Sequence, residues 1–365
     1  MPACAGMTGL VDMTGFVDMT YLVGGLVTCL VCLLLVLTKS WHGALTLDGS
    51  TGVQKFHTAP TPRVGGVGII IGAFVAWRMA DDPLRELLGQ LFLAGMPAFL
   101  FGIAEDLTKR VGVKERLLAT MASGVLGWWI TGISITHVGL WGVDWLLAWL
   151  PFSLAFTAFA VGGVANAVNI IDGFNGLASG AIALSLASMA GMAWLSGDAA
   201  LAQVCVVLAA VALGFWVVNF PLGKIFLGDG GAYVLGFWLA WLAVLLPQRN
   251  ADLSPWAGLL ACGYPILEVL FSIWRRTKRN LHPGHPDRLH LHSLVKSRIV
   301  NKRFPHWPGV IKNAAVSPFI WCFAAGPALL ALVFRNNQWA LMGSFVACAV
   351  AYSVVYARLV RFRWG

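Results

Sequence analysis

The chain has 365 residues, 58% of them hydrophobic and only 11% charged, with a formal net charge of +9 and a mean hydropathy of +0.77. This balance excludes a soluble globular domain, and long apolar runs that do not alternate exclude a transmembrane β-barrel. What it predicts is an all-α, polytopic integral membrane bundle, with no nucleic acid among its partners.

A membrane-crossing helix takes about 20 mostly apolar residues. After a short external segment, 1–20, windows of that kind fall at 21–38, 66–80, 88–104, 117–134, 146–164, 176–196, 199–219, 231–247, 256–274, 314–334 and 338–356. They give eleven spans, or ten, because 66–80 is short and the boundary between the fifth and sixth is soft. The expected transmembrane domain is 21–356, with loops at 39–65, 105–116, 165–175, 220–230 and 275–313, and a basic tail at 357–365. Most of the seven cysteines lie inside spans and read as small packing residues, Cys29 and Cys32 included, so no disulfide framework is expected. The N-terminus lacks a basic region, which argues against a cleavable signal peptide. Residues 7–18 repeat, "MTGLVD" then "MTGFVD", which leaves the true start codon open.

Lys and Arg set the orientation, because basic residues gather on the cytoplasmic side. With the N-terminus outside, 21 of the 25 Lys and Arg fall in cytoplasmic loops or the tail, and only Arg78, Arg85, Arg249 and Arg335 fall outside. An odd number of spans also puts the basic tail on the basic side.

The costly polar stretches share that side: "HTAPTPRVGG" (57–66), "GIAEDLTKRVGVKERLL" (102–118), "NAVNIIDGFNG" (166–176), "FLGDGG" (226–231) and "HPDRLHLHSLVK" (282–296). Glu105, Asp106 and Asp172 come at the C-terminal ends of inward-running helices, where the helix dipole disfavours a carboxylate by about 0.3–1 kcal/mol. Acids held there need a compensating cation. Asn166, Asn169 and Asp172 step by three and share one helix face, which must look at protein or water. Asp229, in a Gly-flanked loop before an outgoing helix, suits an N-cap. Hard oxygen donors gathered at one membrane surface suggest Mg²⁺, with Mn²⁺ as the alternative, and the basic residues around them suggest a phosphorylated partner. Together they point to phosphoryl transfer. The histidines of the last stretch lie among Arg279, Arg288 and Lys296, a cationic neighbourhood that suits an anion better than zinc.

These motifs give the chain a resemblance to the polyprenyl-phosphate N-acetylhexosamine-1-phosphate transferases, the membrane enzymes of glycosyltransferase family 4. The residues that carry it are Pro62, Arg63, Gly65 and Gly66 of a "PRxGG" loop, an acidic pair followed by "K-x-R-L-L", "NxxNxxDGxNGLA", "FxGDxG", "PIxETLxSxxRR" and "DxxHxHH", over about residues 40 to 300. The resemblance implies that a polyprenyl phosphate, such as undecaprenyl phosphate, attacks the sugar-proximal phosphorus of a UDP-amino sugar. The products are a polyprenyl-diphospho-sugar and UMP, Mg²⁺ is required, and the site faces the cytoplasm of a bacterial inner membrane. UDP-N-acetylglucosamine is the default donor, for the first membrane step of a surface glycan such as O-antigen. Carried over, Glu105, Asp106, Asp172 and Asp229 are the catalytic set, with Asp106, Asp172 and Asp229 toward metal. Asn166, Asn169, His290 and His292 are assigned to substrate, together with Lys55, His57, Arg63, Lys114, Asn175, Asp287 and Arg288. A homodimer is also compatible with the resemblance.

Three positions depart from the family pattern. Glu105 replaces the first acid of the pair, Ser293 replaces a third His, and "YPILEVLFSIWRR" keeps Glu268 but loses the Thr after it. Glu268, two turns before Arg275, reads as a structural ion pair. Two other functions compete. A phospho-N-acetylmuramoyl-pentapeptide-type transferase would tend toward three consecutive His, unlike "HLHS". An ion-coupled transporter would place polar breaks at the bilayer midplane, within inverted repeats, whereas these clusters are terminal and one-sided.

Overall fold

The computed structural model describes residues 19–48, 60–278, 280 and 289–361. Lys55, His57, Asp287 and Arg288 lie outside the described residues. The chain is a polytopic helical membrane protein. Its helices are α1 (Met19–Leu37), α2 (Lys39–Thr46), α3 (Gly65–Met79), α4 (Leu84–Thr108), α5 (Val113–Thr131), α6 (Trp141–Leu147), α7 (Leu150–Ile171), α8 (Leu177–Leu195), α9 (Ala199–Asn219) and α10 (Gly228–Arg249). There follow α11 (Pro255–Ala261), α12 (Gly263–Lys278), α13 (Leu291–Val295), α14 (Asn301–Arg303), α15 (Gly309–Ala314), α16 (Val316–Val333) and α17 (Gln338–Val360), with a π-helical turn at Lys296–Val300. The two-residue strands β1 (Leu47–Asp48) and β2 (Thr61–Pro62) pair antiparallel ahead of α3.

Every expected span meets a helix. Seven are long and apolar enough to cross a membrane, or up to nine when the bent pairs α1–α2 (88°) and α11–α12 (76°) each count as one. Of the remaining expected spans, α3 has 15 residues, and α5 opens with Lys114, Glu115 and Arg116. Two boundaries move. Residues 165–171, expected in a loop, continue α7, and Asp229, expected in a loop, lies in the first turn of α10.

α10 is the axis of the bundle: 94% of its most apolar 18-residue window is buried, against 17% for α17. Its sequence is apolar around the whole circumference, the mark of a helix packed on all sides. It packs against α3, α4, α7, α8 and α11. Buried Trp238 joins α10 to α4 by donating its indole N–H to the Leu91 carbonyl at 3.0 Å, which satisfies a polar group that lipid could not. Nearer the start of α10, a Cβ on Gly102 would stand 2.6 Å from the Gly230 backbone. Small residues let these two helices approach closely, and the approach sets the geometry of the polar end described next.

Candidate active site

The residues that begin α10 meet the ends of α4, α5 and α7 at one end of the bundle. Gly228 adopts φ +74°, and a Cβ there would stand 2.5 Å from an Asp106 carboxylate oxygen and 2.7 Å from the Arg63 carbonyl. Both the left-handed backbone and the lack of space call for glycine. The loop before α3 is pinned alongside: Phe226 N–H donates to the Pro62 carbonyl at 2.8 Å, and Gly65 and Gly66 N–H donate to the Phe226 and Leu227 carbonyls.

Asp106, 1% exposed, accepts from the backbone N–H of Asp229 and of Gly230, each at 2.9 Å. A carboxylate from the C-terminal end of α4 thus caps the N-terminus of α10. The unfavourable dipole of its own helix is offset by the favourable one of α10 and by Arg63, whose Nε lies 3.2 Å from Asp106 Oδ1. Asp229, also 1% exposed, is not an N-cap; its own side chain accepts from Arg63 Nη2, from Arg116 Nη1, and from Asn169 Nδ2 at 3.1 Å. Tyr233, one turn along α10, donates to Asn169 Oδ1 at 3.4 Å.

Asp172 follows the last residue of α7. Its carboxyl has no hydrogen-bond partner among the described residues, and burial, with the nearby charges of Asp229 and Asp106 against that of Arg63, pushes it up to about 7. The other residues of this stretch join elements. Asn166 Nδ2 donates to Thr120 Oγ1 at 2.9 Å and to the Gly162 carbonyl at 2.8 Å, tying α7 to α5. Asn175 Nδ2 donates to the Pro221 carbonyl at 2.9 Å, and Ser317 of α16 donates to the Asn175 carbonyl at 2.6 Å. Glu105 accepts from Val111 N–H at 2.8 Å and so closes the turn after α4. Lys114 is exposed.

The histidine segment reaches the same region. His292 is 4% exposed, and a Cβ on Gly173 would stand 3.2 Å from its Nε2. Its ring also meets Phe174 edge-on at 5.5 Å. Burial pulls the His292 imidazole down to about 4, so it is neutral near pH 7. Lys296, one turn on, lies over the Phe174 ring at 5.5 Å and is drawn down to about 8 by burial and by Lys312. The expected Glu268–Arg275 ion pair does not form. Glu268 instead takes His290 Nδ1 at 2.9 Å, while Arg275 donates to the Leu289 carbonyl, Tyr356 Oη and Ser272 Oγ. Leu289 and His290 pack against α12, which puts an imidazole where sequence distance alone suggested a guanidinium.

Arg116 and Tyr233 were not among the expected site residues. A signal for Arg116 existed: Thr120, Ser123, Gly124 and Gly127 make a buried, small stripe on α5, and Arg116 continues that stripe while Lys114 is off it. Two cavities open in the bundle, one beside the cluster and one along the far half of α10. One, of about 210 Å³, is lined by Lys39, Thr61, Asn175, Lys224, Phe226 and Asn313 among others. The second, of about 150 Å³ and apolar, is lined by α7, α10, α11 and α12, from Gln248 at the far end of α10 to Ile266.

The glycosyl transferase family 4 model matches residues 88–247, the stretch that carries Asp106, Arg116, Asn169, Asp172 and Asp229. The undecaprenyl-phosphate alpha-N-acetylglucosaminyl 1-phosphate transferase of Salmonella typhi is 30% identical over 247 residues, 66% of this chain and 67% of that protein. The decaprenyl-phosphate N-acetylglucosaminephosphotransferase of Mycobacterium leprae is 30% identical over 337 residues, 82% of this chain and 80% of its own. The chain belongs to glycosyl transferase family 4. The Escherichia coli K12 undecaprenyl-phosphate transferase, 28% identical over 247 residues, extends the same likeness. Family 4 membership fits the geometry: the matched stretch runs from α4 through α10, the helices that supply the ion-pair cluster apart from Arg63.

The donor chemistry around Asp229 suits a hard divalent cation, although among the described residues no three His, Cys, Asp or Glu side chains form a ready cage. What argues for a cation is the imbalance. Among the described residues, Asp106, Asp172 and Asp229 stand against two guanidiniums, and Asp172 is left without a hydrogen-bonding partner.

Proposed function

We propose that the protein transfers N-acetylglucosamine 1-phosphate from UDP-N-acetylglucosamine to a polyprenyl phosphate, releasing UMP, at the cytoplasmic face of a bacterial inner membrane. The observation that carries this reading is the convergence of Asp106, Asp229, Arg63, Arg116 and Asn169 at the start of one buried helix, at one end of a membrane bundle. Phosphoryl transfer needs concentrated positive charge for the diphosphate and a water-poor place to use it. Arg63 and Arg116 offer planar, multidentate donors to phosphate oxygens. Asp229 holds both side chains in place until a phosphate competes for them. Asp172 and Asp229 would hold Mg²⁺, which when bound neutralises diphosphate charge.

The polar cavity beside Arg63 suits the nucleotide, with Lys39 and Lys224 for its charge and Phe226 for the flat base. A phosphate oxygen of the lipid forms the new P–O bond, the P–O bond to UMP breaks, and UMP leaves carrying the electron pair. The basic residues of the loops favour the cytoplasm for this end. The donor is proposed from the three relatives described above, whose names all carry the N-acetylglucosamine unit.

The test is direct. Purified protein in vesicles receives undecaprenyl phosphate, Mg²⁺ and a panel of UDP-sugars, and UMP and the mass of the lipid product are measured. UMP and a lipid gaining one N-acetylhexosamine phosphate are expected, and both vanish in Asp229→Asn. No product from any UDP-amino sugar, or full turnover by Asp229→Asn, overturns the reading.

A further inference from the structure

Glu268 is fully buried, in the second turn of α12. An isolated carboxylate inside an apolar bundle is costly, so its partners define its purpose. Its Oε1 stands 2.9 Å from His290 Nδ1 and accepts Leu291 N–H at 3.3 Å. The Tyr264 hydroxyl lies 3.5 Å from Glu268 Oε2 and 3.5 Å from His292 Nδ1, so one carboxylate anchors both imidazoles. The two rings lie 5.2 Å apart, only 10° from parallel, and His292 abuts Gly173 beside Asp172. The titratable groups facing Glu268 among the described residues are Tyr264 on its own helix, His290 and His292 on the following segment, and Tyr352 on α17.

We infer that Glu268 is the positioning carboxylate of the histidine segment, fixing His290 with Nδ1–H toward itself and leaving Nε2 to the donor diphosphate. This rests on the transferase reading above. A buried ion pair adds little net stability over a well-packed apolar pair. Its distinctive consequence is therefore the tautomer and the charge it imposes on the ring. An ionised Glu268 accepts Nδ1–H and supports the charged ring, whose Nε2–H then donates to a phosphate oxygen as a charge-assisted bond. With Glu268 neutral, both the preferred tautomer and the imidazolium lose their support.

Glu268→Gln keeps the size and an acceptor oxygen while removing the charge. Expected is a basic limb of the kcat/KM profile displaced toward lower pH, with the donor KM raised most at alkaline pH and the melting temperature little changed. ¹⁵N-histidine NMR of the wild-type protein, assigned with His290→Gln, reads the ring directly. It should show Nδ1 protonated and Nε2 bare at high pH, and the titration should fall by the same amount in Glu268→Gln. A wild-type His290 protonated at Nε2 instead, or an unchanged titration and pH profile in Glu268→Gln, overturns the inference. If the wild type turns over no UDP-amino sugar, the proposed function fails on its own and the NMR measurement alone decides the role of Glu268.

Discussion

Asp106 and Asp229 are joined through the backbone: the carboxylate of the first accepts the N–H of the second and of Gly230, each at 2.9 Å. An acid that ends one helix caps another, and Arg63 reaches both carboxylates. The site's position is thereby coupled to the packing of α4 on α10, and disturbing one disturbs the other.

Asp106→Asn removes the charge and turns an N–H₂ toward a backbone N–H. Losing a charged cap of this kind costs about 1–3 kcal/mol. The melting temperature in detergent should fall, and turnover should drop at least about a hundredfold, the scale of losing one preorganised electrostatic contact. Glu105→Gln, which still accepts Val111 N–H, should keep most of both. Equal losses in the two variants would mean that the cap does not single out Asp106.

The neighbouring basic residues separate in the same way. Arg116 contacts Asp229 from the buried stripe of α5, whereas Lys114 is exposed. Arg116→Met should raise the donor KM and lower kcat together, while Lys114→Met should leave both within about twofold, as for most exposed surface changes. Steady-state kinetics on the two variants settle the point, and a kinetic defect confined to Lys114→Met would reverse the assignment.

How far this was legible in the sequence depends on the kind of signal. Spans were readable because lipid demands long apolar runs, and the one-sided placement of Asp106, Asp172 and Asp229 followed from their positions at span ends. Contacts between distant segments were not. The contact between His290 and Glu268 joins segments that no local pattern pairs, so Arg275 looked the nearer partner. Asp229 read as a loop cap because two glycines flank it, yet Gly228 uses its positive φ to start the helix one residue earlier. Asn166 and Asn169 share a face as expected but divide their partners: Asn166 joins α5 to α7, and Asn169 reaches Asp229.

Asp172 gives a pH signature. Its carboxyl is raised from 3.8 to about 7, so between those values the folded protein holds a proton that the unfolded chain has released. Stability from this group is therefore complete below about pH 4 and is lost as pH rises toward and through 7. In chelator-treated protein, the melting temperature of Asp172→Asn relative to wild type should climb across pH 5 to 8. Mg²⁺ affinity of the wild type should strengthen over the same interval, because the cation must displace that proton. A flat difference between the two proteins across this range would remove the burial argument.

Gly228 and Gly132 share a left-handed backbone, at φ +74° and +71°, but not their surroundings. A Cβ on Gly132 meets nothing within 4 Å, whereas on Gly228 it would press on the Asp106 carboxylate and the Arg63 carbonyl. Gly132→Ala should therefore cost only the backbone penalty, about 1–2 kcal/mol, and keep its turnover. Gly228→Ala bears the same penalty and also displaces Asp106 from the α10 N–H groups, so turnover should collapse even at temperatures where the protein stays folded. Thermal unfolding and UMP release measured side by side separate the two effects. If both alanine variants lose activity in proportion to their loss of stability, the close fit at Gly228 contributes nothing specific to the site.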